Sequence, residues 1–259
     1  MTPARRRSTT SPRQLRTEAQ ERVAIVTGSS SGIGEGVCRF LLANDFTVVA
    51  LQRSRPQLQH TRLHVFQVDL ADPEATQAAA DEVVSKFAVT YLVNNAGANR
   101  PNLIDVAEMD DLDYVVNLNL RAAIVLTRAV LPEMRAARFG RIVNISSRAA
   151  LGKPRFAMYA ATKAGIVGLT RSLALELGKD GITVNAIAPG PVSTPLFNDA
   201  NPPGSPQTKK LIESIAVGRM GTPQDIAEAV MFFFSRNSGF ITGQMLHVCG
   251  GASLGSAPL

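Results

Sequence analysis

Tyr159 and Lys163 stand four positions apart in FAMYAATKAG (156–165), a run of small residues that predicts a helix. A phenol with a pKa of about 10 and an ammonium near 10.4 are both idle acids at neutral pH. On a helix, however, positions i and i+4 share one face. An ammonium a few ångströms from the phenol favours the phenolate, which would let Tyr159 give or take a proton near neutrality. The alternative is a surface tyrosine lying over a lysine stem. Ser147, twelve positions before Tyr159, follows the strand-like run RIVNIS (141–146) and offers a hydroxyl; its neighbour Ser146 offers another.

A second chemical signal is TGSSSGIG (27–34), which follows the strand pattern VAIVT (23–27) and opens a helical one. Gly28 permits a tight turn, while Gly32 and Gly34 let backbone approach a pyrophosphate on a helix N-terminus; Ser30, Ser31 and Ile33 complete the loop. A flexible loop without a ligand would have the same composition. After the next strand pattern, FTVVAL (46–51), come Gln52 and Arg53. An acidic side chain there would bind the ribose hydroxyls of NAD and repel an extra phosphate. A cation with no acid beside it suits the 2′-phosphate of NADP, so NADP fits better than NAD.

These residues need elements to hold them. Further strand patterns are LHVFQV (63–68), TYLVNN (90–95), RIVNIS (141–146), ITVNAI (182–187) and MLHV (245–248), with segments of helical spacing between them. Strand and helix in alternation, without hairpin signals, predict an α/β chain: a single-domain Rossmann fold, a doubly wound parallel sheet with helices on both faces. Ligands of such sheets sit at the carboxyl ends of the strands.

The formal charge of +6 is concentrated at the start, where residues 1–22 hold six arginines against two glutamates, +4, leaving +2 for the rest. A solvated basic tail over 1–20, read as disordered, therefore explains most of the charge, and nucleic-acid binding by the domain over 21–259 is not expected. The tail lacks the apolar core of a secretory signal and only loosely fits an organellar transit peptide. No uninterrupted apolar run has membrane-spanning length. Cys38 and Cys249 make neither a disulfide framework nor a metal spacing, and a reducing cytoplasmic setting is expected. His60, His64 and His247 fall in unrelated segments, so no metal site is expected.

TGSSSGIG, NNAG (94–97), Asn119 in NLNL, Ser147, the Y-x-x-x-K of Tyr159 and Lys163, and PG (189–190) occur in the order and approximate spacing of the short-chain dehydrogenase/reductase family. The chain is most similar to its 3-oxoacyl-[acyl-carrier-protein] reductases and their relatives acting on small alcohols, sugars and steroids. The resemblance covers about residues 21–251. It implies that Tyr159 handles the proton, its pKa lowered by Lys163 with the help of an oxidised nicotinamide ring, that Ser147 holds the substrate oxygen, and that Lys163 also bonds the nicotinamide ribose. It gives Asn119 a water that links the lysine to solvent. It further implies adenine contacts at Asp69 and Leu70 and a ribose side lined by Asn95, Ala96 and Gly97. A nicotinamide segment would contain Ile187, Pro189, Gly190, Val192 and Thr194.

The same resemblance makes 192–218 a mobile substrate lid. The Ser147 to Tyr159 loop is one residue shorter than in the carrier-protein reductases, which leaves the substrate side open. Arg100, Arg148, Lys153 and Arg155, near the expected mouth, would favour an anionic substrate or a phosphopantetheine arm, or else be solvated loop charges. Arg138 matches one of two basic residues that meet the acyl carrier protein at the entrance, but the other position reads Asp180. Cys249, where the family commonly has Asp, is read as a structural change near a subunit contact. The implied activity is NADP-dependent hydride transfer between nicotinamide and a carbonyl or secondary alcohol, with a 3-oxoacyl thioester as leading substrate. The alternatives are a dehydrogenase of a sugar, polyol or other small alcohol, and a non-catalytic cofactor-binding regulatory protein. A homotetramer or homodimer built on helices near 108–136 and 157–178 is expected.

Overall fold

The β-branched runs become parallel strands: β1 Val23–Thr27, β2 Thr47–Gln52, β3 Leu63–Gln67, β4 Tyr91–Asn94, β5 Gly140–Ile145, β6 Ile182–Pro189 and β7 Met245–Val248. The computed structural model describes residues 21–54 and 58–254, so the basic tail expected over 1–20 lies outside the described residues. The sheet order is β3-β2-β1-β4-β5-β6-β7. The chain winds outward from β1 to β3 and then crosses back to β4, which places the topological switch point, and with it the ligand crevice, between β1 and β4.

The helices are α1 Gly32–Ala43, α2 Pro73–Lys86, α3 Met109–Val116, α4 Ala122–Ala137, α5 Ala157–Leu177, α6 Pro195–Ala200, α7 Pro206–Glu213 and α8 Pro223–Phe234. Local chemistry fixes their starts. Asp72 accepts from the N–H groups of Glu74 and Ala75 before Pro73, and Thr222 exchanges a capping box with Asp225 before Pro223. The segment expected to be a lid carries α6 and α7, capped by Thr194 and Ser205.

Because strand side chains alternate between faces, each strand feeds two cores. Ala24, Val26 and Val48 pack against Val37, Leu41, Val230 and Phe233 of α1 and α8. Ile25, Val49, Leu92 and Ile142 pack against Val83, Leu126, Val130, Met134 and Leu177 of α2, α4 and α5. Each large apolar side chain so enclosed contributes roughly 1.5–3 kcal/mol.

Between α3 and α4 the helix widens to a π turn over Asn117–Arg121, where the N–H of Ala122 reaches back to the Asn117 carbonyl. The rod Met109–Ala137 is long and apolar enough to match a membrane span. It nonetheless carries Arg121, Arg128 and Arg135, and Val115, Leu126, Val130 and Met134 along it are buried.

Candidate active site

A cleft of about 740 Å³ opens across the carboxyl ends of the strands. Its floor begins at the glycine loop. Gly28 has φ +64°, and a Cβ there would lie 2.8 Å from the Ala96 Cα; a Cβ on Gly34 would lie 2.2 Å from the Gly28 carbonyl oxygen. Only glycine fits these two places, because one needs left-handed backbone and the other allows no side chain. Ser31 occupies the N-cap of α1, and its side chain accepts no hydrogen bond from the helix. The first N–H groups of a helix have no partners within it, so those of α1 remain available to an anion. This cradle fits the pyrophosphate of a dinucleotide.

The loop is held from behind. The Asn95 side chain donates to the carbonyls of Thr27 (2.8 Å) and Gly28 (3.1 Å), while the Thr27 hydroxyl accepts from the N–H groups of Asn95 and Ala96, both at 2.8 Å. The Ser29 hydroxyl donates to the Gln52 side-chain oxygen at 2.6 Å, and the Gln52 amide donates to the Ser54 carbonyl at 2.8 Å. Gln52 is therefore a buried brace between β2 and the glycine loop. Sequence reasoning marked Gln52 only as a missing acid, and did not single out Thr27 or Ser29. Their adjacency to Gly28 was the available signal.

Every residue expected around the cofactor lines this cleft except Ile187, which is buried in β6. Gly28, Ser30, Ser31, Gly32, Ile33 and Gly34 form one wall, and Arg53, Asp69 and Leu70 lie at the ends of β2 and β3. Ala96 and Gly97 follow β4 beside Asn95, while Pro189, Gly190, Val192 and Thr194 follow β6.

Ser147, Tyr159 and Lys163 line the same cleft. Ser147 caps the short turn after β5, accepting from the N–H of Ala149 at 3.0 Å. Ser146 is buried and its hydroxyl donates to the Lys163 carbonyl at 2.8 Å, which makes it a brace for α5. The Lys163 Nζ donates to the Ile145 carbonyl at 2.8 Å and lies 5.7 Å from the centre of the Tyr159 ring.

The lowered phenol pKa expected from the sequence belongs to the pair with an oxidised nicotinamide ring beside it; in the protein alone the cleft's enclosure dominates. Burial pushes the Tyr159 phenol up, and hydrogen bonding with Ser147 only partly offsets it. Burial likewise pulls the Lys163 ammonium down to about 8. Enclosure disfavours both charged forms.

Asn119, expected in a helix near the lysine, is buried in the π turn. Its Oδ1 accepts from the Ala98 N–H at 2.9 Å. Its Nδ2 donates to the Ala98 carbonyl at 2.9 Å and to the Thr162 hydroxyl at 3.0 Å. It ties the segment after β4 to α5 from behind the cleft wall. A Cβ on Gly97 would lie 3.1 Å from the Lys163 Nζ and 3.2 Å from the Asn119 Oδ1, so these three residues are packed without slack.

The basic residues expected at the mouth separate into two groups. Arg148 and Lys153 line the cleft. Arg100 is paired with Asp111 at 3.0 Å and stacked on Tyr114, and Arg155 stands outside the lining. Arg138 lies just before β5, at the amino-terminal edge of the sheet and away from the cleft, with its guanidinium on Asp180 at 3.3 Å. Asp180 is shared with Arg135 at 3.0 Å, so two guanidinium groups and one carboxylate meet at this edge. Cys249 packs beneath Gly190, whose added Cβ would lie 2.6 Å from the Cys249 Cα. No cluster of metal-ligating residues occurs among the described residues.

Comparison with known proteins agrees with this arrangement. The family profile described as "Enoyl-(Acyl carrier protein) reductase" matches residues 28–253. The (2S)-[(R)-hydroxy(phenyl)methyl]succinyl-CoA dehydrogenase subunit BbsD of Thauera aromatica is 37% identical over 91% of this chain and 98% of its own. The 3-oxoacyl-[acyl-carrier-protein] reductase FabG of Rickettsia prowazekii is 33% identical over 89% and 96%. Among solved structures, a provisionally assigned NAD(P)-dependent gluconate 5-dehydrogenase from Beutenbergia cavernae, with NADP bound at low occupancy, superposes with a TM-score of 0.82. It is 32% identical and covers 89% of this chain and 96% of its own. With the fold, the glycine cradle and the Ser147, Tyr159 and Lys163 grouping in place, the chain belongs to the short-chain dehydrogenase/reductase family of NAD(P)-dependent oxidoreductases.

Proposed function

We propose that the protein is an NADP-dependent carbonyl reductase or alcohol dehydrogenase whose proton donor and acceptor is Tyr159. The observation that carries this reading is the convergence of Ser147, Tyr159 and Lys163 on one cleft with the glycine cradle. The cofactor, when bound, supplies or takes the hydride at the substrate carbon. The chain binds it through the α1 amides, the loop Gly28 to Gly34, and the wall formed by Asp69, Leu70, Ala96, Gly97, Pro189, Val192 and Thr194. Arg53, with no acid replacing Gln52, provides the cation for a 2′-phosphate, in keeping with the NADP-bound neighbour.

In the reducing direction Tyr159 gives its phenolic proton to the carbonyl oxygen, and Ser147 holds that oxygen by a hydrogen bond. Because burial alone makes the phenolate costly, Lys163 acts by keeping a cation beside the ring as the proton leaves. Asn119 is a positioning residue, fixing the segment after β4 on α5.

A 3-oxoacyl thioester is the leading substrate, since BbsD and FabG both act on acyl thioesters. A sugar or polyol is the second reading, favoured by the gluconate 5-dehydrogenase neighbour. A homo-oligomer fits the exposed Ile124 and Leu175 on α4 and α5, and sedimentation equilibrium checks it.

The experiment is NADPH oxidation with a panel of ketones, 3-oxoacyl thioesters and keto sugars. Tyr159→Phe should lose at least about 100-fold in turnover while keeping its fold. A Phe variant as fast as the wild type on every substrate would sink the assignment of Tyr159.

A further inference from the structure

Two of the cleft's cations are held without an acid. The Ser147 cap starts a short turn over Arg148–Leu151, and Gly152, with φ +105°, redirects the chain so that Lys153 lines the cleft beside Arg148. The Lys153 Nζ lies 3.9 Å from the centre of the Phe156 ring, and that ring meets Tyr159 edge-on with centres 6.3 Å apart. Arg148 spends one N–H on the Ala252 carbonyl, at 2.6 Å. Among the described residues neither cation forms an ion pair, whereas Arg100 has Asp111.

The acids of the cleft are distributed just as unevenly. The one carboxylate among the lining residues is Asp69, beyond β3 on the nucleotide side. Burial, and then the Arg148 guanidinium, pull the Lys153 ammonium below its ordinary value. Arg148 is half-buried and Lys153 exposed at the mouth, and two such cations with no counter-ion among the described residues would be stabilised by an anion brought by the substrate.

We propose that Arg148 and Lys153 form a carboxylate-binding subsite, so that the substrate is an oxo acid or hydroxy acid whose carboxylate lies a few bonds from the reacting carbon. The inference rests on the oxidoreductase assignment above and, within it, sets an acid, or an acyl group that itself carries a carboxylate, ahead of a plain 3-oxoacyl thioester. The pair stands one aromatic ring from Tyr159, which places the anion on the reacting fragment. The phosphates of a phosphopantetheine arm lie at the far end of a long chain and would not reach back to it. Lys remains a single charge over Phe156, while the Arg148 fork can take a carboxylate in two bonds.

Two arms test the proposal. In the first, glutarate, glutaramide and inorganic phosphate are titrated calorimetrically into the NADP-loaded protein. Glutarate should bind one to one and at least about tenfold more tightly than glutaramide, and Lys153→Met should bring the two together. Equal binding of glutarate and glutaramide, no binding of glutarate, or unchanged glutarate binding in both Lys153→Met and Arg148→Met overturns the subsite. Phosphate binding as tight as glutarate and lost in Lys153→Met overturns the carboxylate in favour of a phosphate. Thermal melts verify folding, and Lys153→Gln replaces any variant that fails them.

In the second arm, kcat/KM for levulinate is divided by that for methyl levulinate. Lys153→Met should lower this ratio about tenfold or more, and an unchanged ratio counts against the proposal. If the wild type reduces no carbonyl compound while glutarate binding depends on Lys153, the oxidoreductase assignment fails and the subsite stands.

Discussion

Lys163 stands over the Tyr159 ring: its Nζ is 5.7 Å from the ring centre while it donates to the Ile145 carbonyl at 2.8 Å. The ammonium is thereby fixed by backbone, and its closeness to the phenol does not depend on the phenol's ionisation. This enclosure has a measurable price in stability. The folded-state pKa of Lys163 is about 8 against an ordinary 10.5, so between those values the unfolded chain holds a proton that the folded one has released. Stability therefore rises with pH from about 8 to 10.5 through this group, by an amount on the order of a few kcal/mol. Urea unfolding at pH 7 and pH 9.5 should show wild type gaining on Lys163→Met as pH rises. A pH-independent difference would contradict the buried ammonium.

Gly97→Ala is expected to damage turnover more than stability. The new methyl would press on the Lys163 Nζ at 3.1 Å and the Asn119 Oδ1 at 3.2 Å, and the lysine tip can yield. A displacement of about 1 Å in a positioned group can cost up to about 100-fold in rate. Steady-state kinetics beside a thermal melt would separate the two effects.

Arg53→Ala should raise KM for NADPH about tenfold more than KM for NADH, because a lost charge-assisted contact to phosphate affects only the phosphorylated cofactor. Gln52→Asp, by contrast, should not create an NAD enzyme by itself. It removes the buried amide between Ser29 and Ser54 and should lower stability by about 1–3 kcal/mol. Paired KM values and a denaturation curve for each variant check both statements.

Asn119→Leu should cost about 1–3 kcal/mol, since it strands the N–H and carbonyl of Ala98, while the Thr162 hydroxyl keeps its bond to the Tyr159 carbonyl. Its effect on kcat should exceed its effect on KM for NADPH, because the cofactor cradle is braced separately by Asn95 and Thr27. A change confined to KM would place Asn119 in cofactor binding instead.

What was legible in the sequence is what local pattern dictates. The strands, the glycine cradle and the one-face spacing of Tyr159 and Lys163 depend on residues close together in the chain. The directions of the two shifts in the protein alone were not legible, because burial is a property of the assembled cleft: it pushes the phenol up and the ammonium down before any cofactor is bound. Arg100 and Arg148 look alike as loop arginines, and only the fold gives one of them Asp111 and leaves the other facing the cleft. The place of Arg138, at the far edge of the sheet from the cleft, follows from the direction of β5 rather than from its own surroundings in the chain. Gln52 could be recognised as a departure from an acid, but its hydrogen bonds cross 23 positions to Ser29.

The wide turn at Asn117–Arg121 carries one residue more than a regular helix needs. The wide turn absorbs that residue locally, so α3 and α4 keep the facing of one regular helix, and deleting a residue there would restore ordinary winding without turning the α4 face that packs Leu126, Val130 and Met134 under the sheet. What the deletion would remove is the placement of Asn119 against Ala98 and Thr162. In NLNLR, with no proline or glycine to mark it, one residue of chain length therefore sets the geometry behind the cleft and not the packing of the rod.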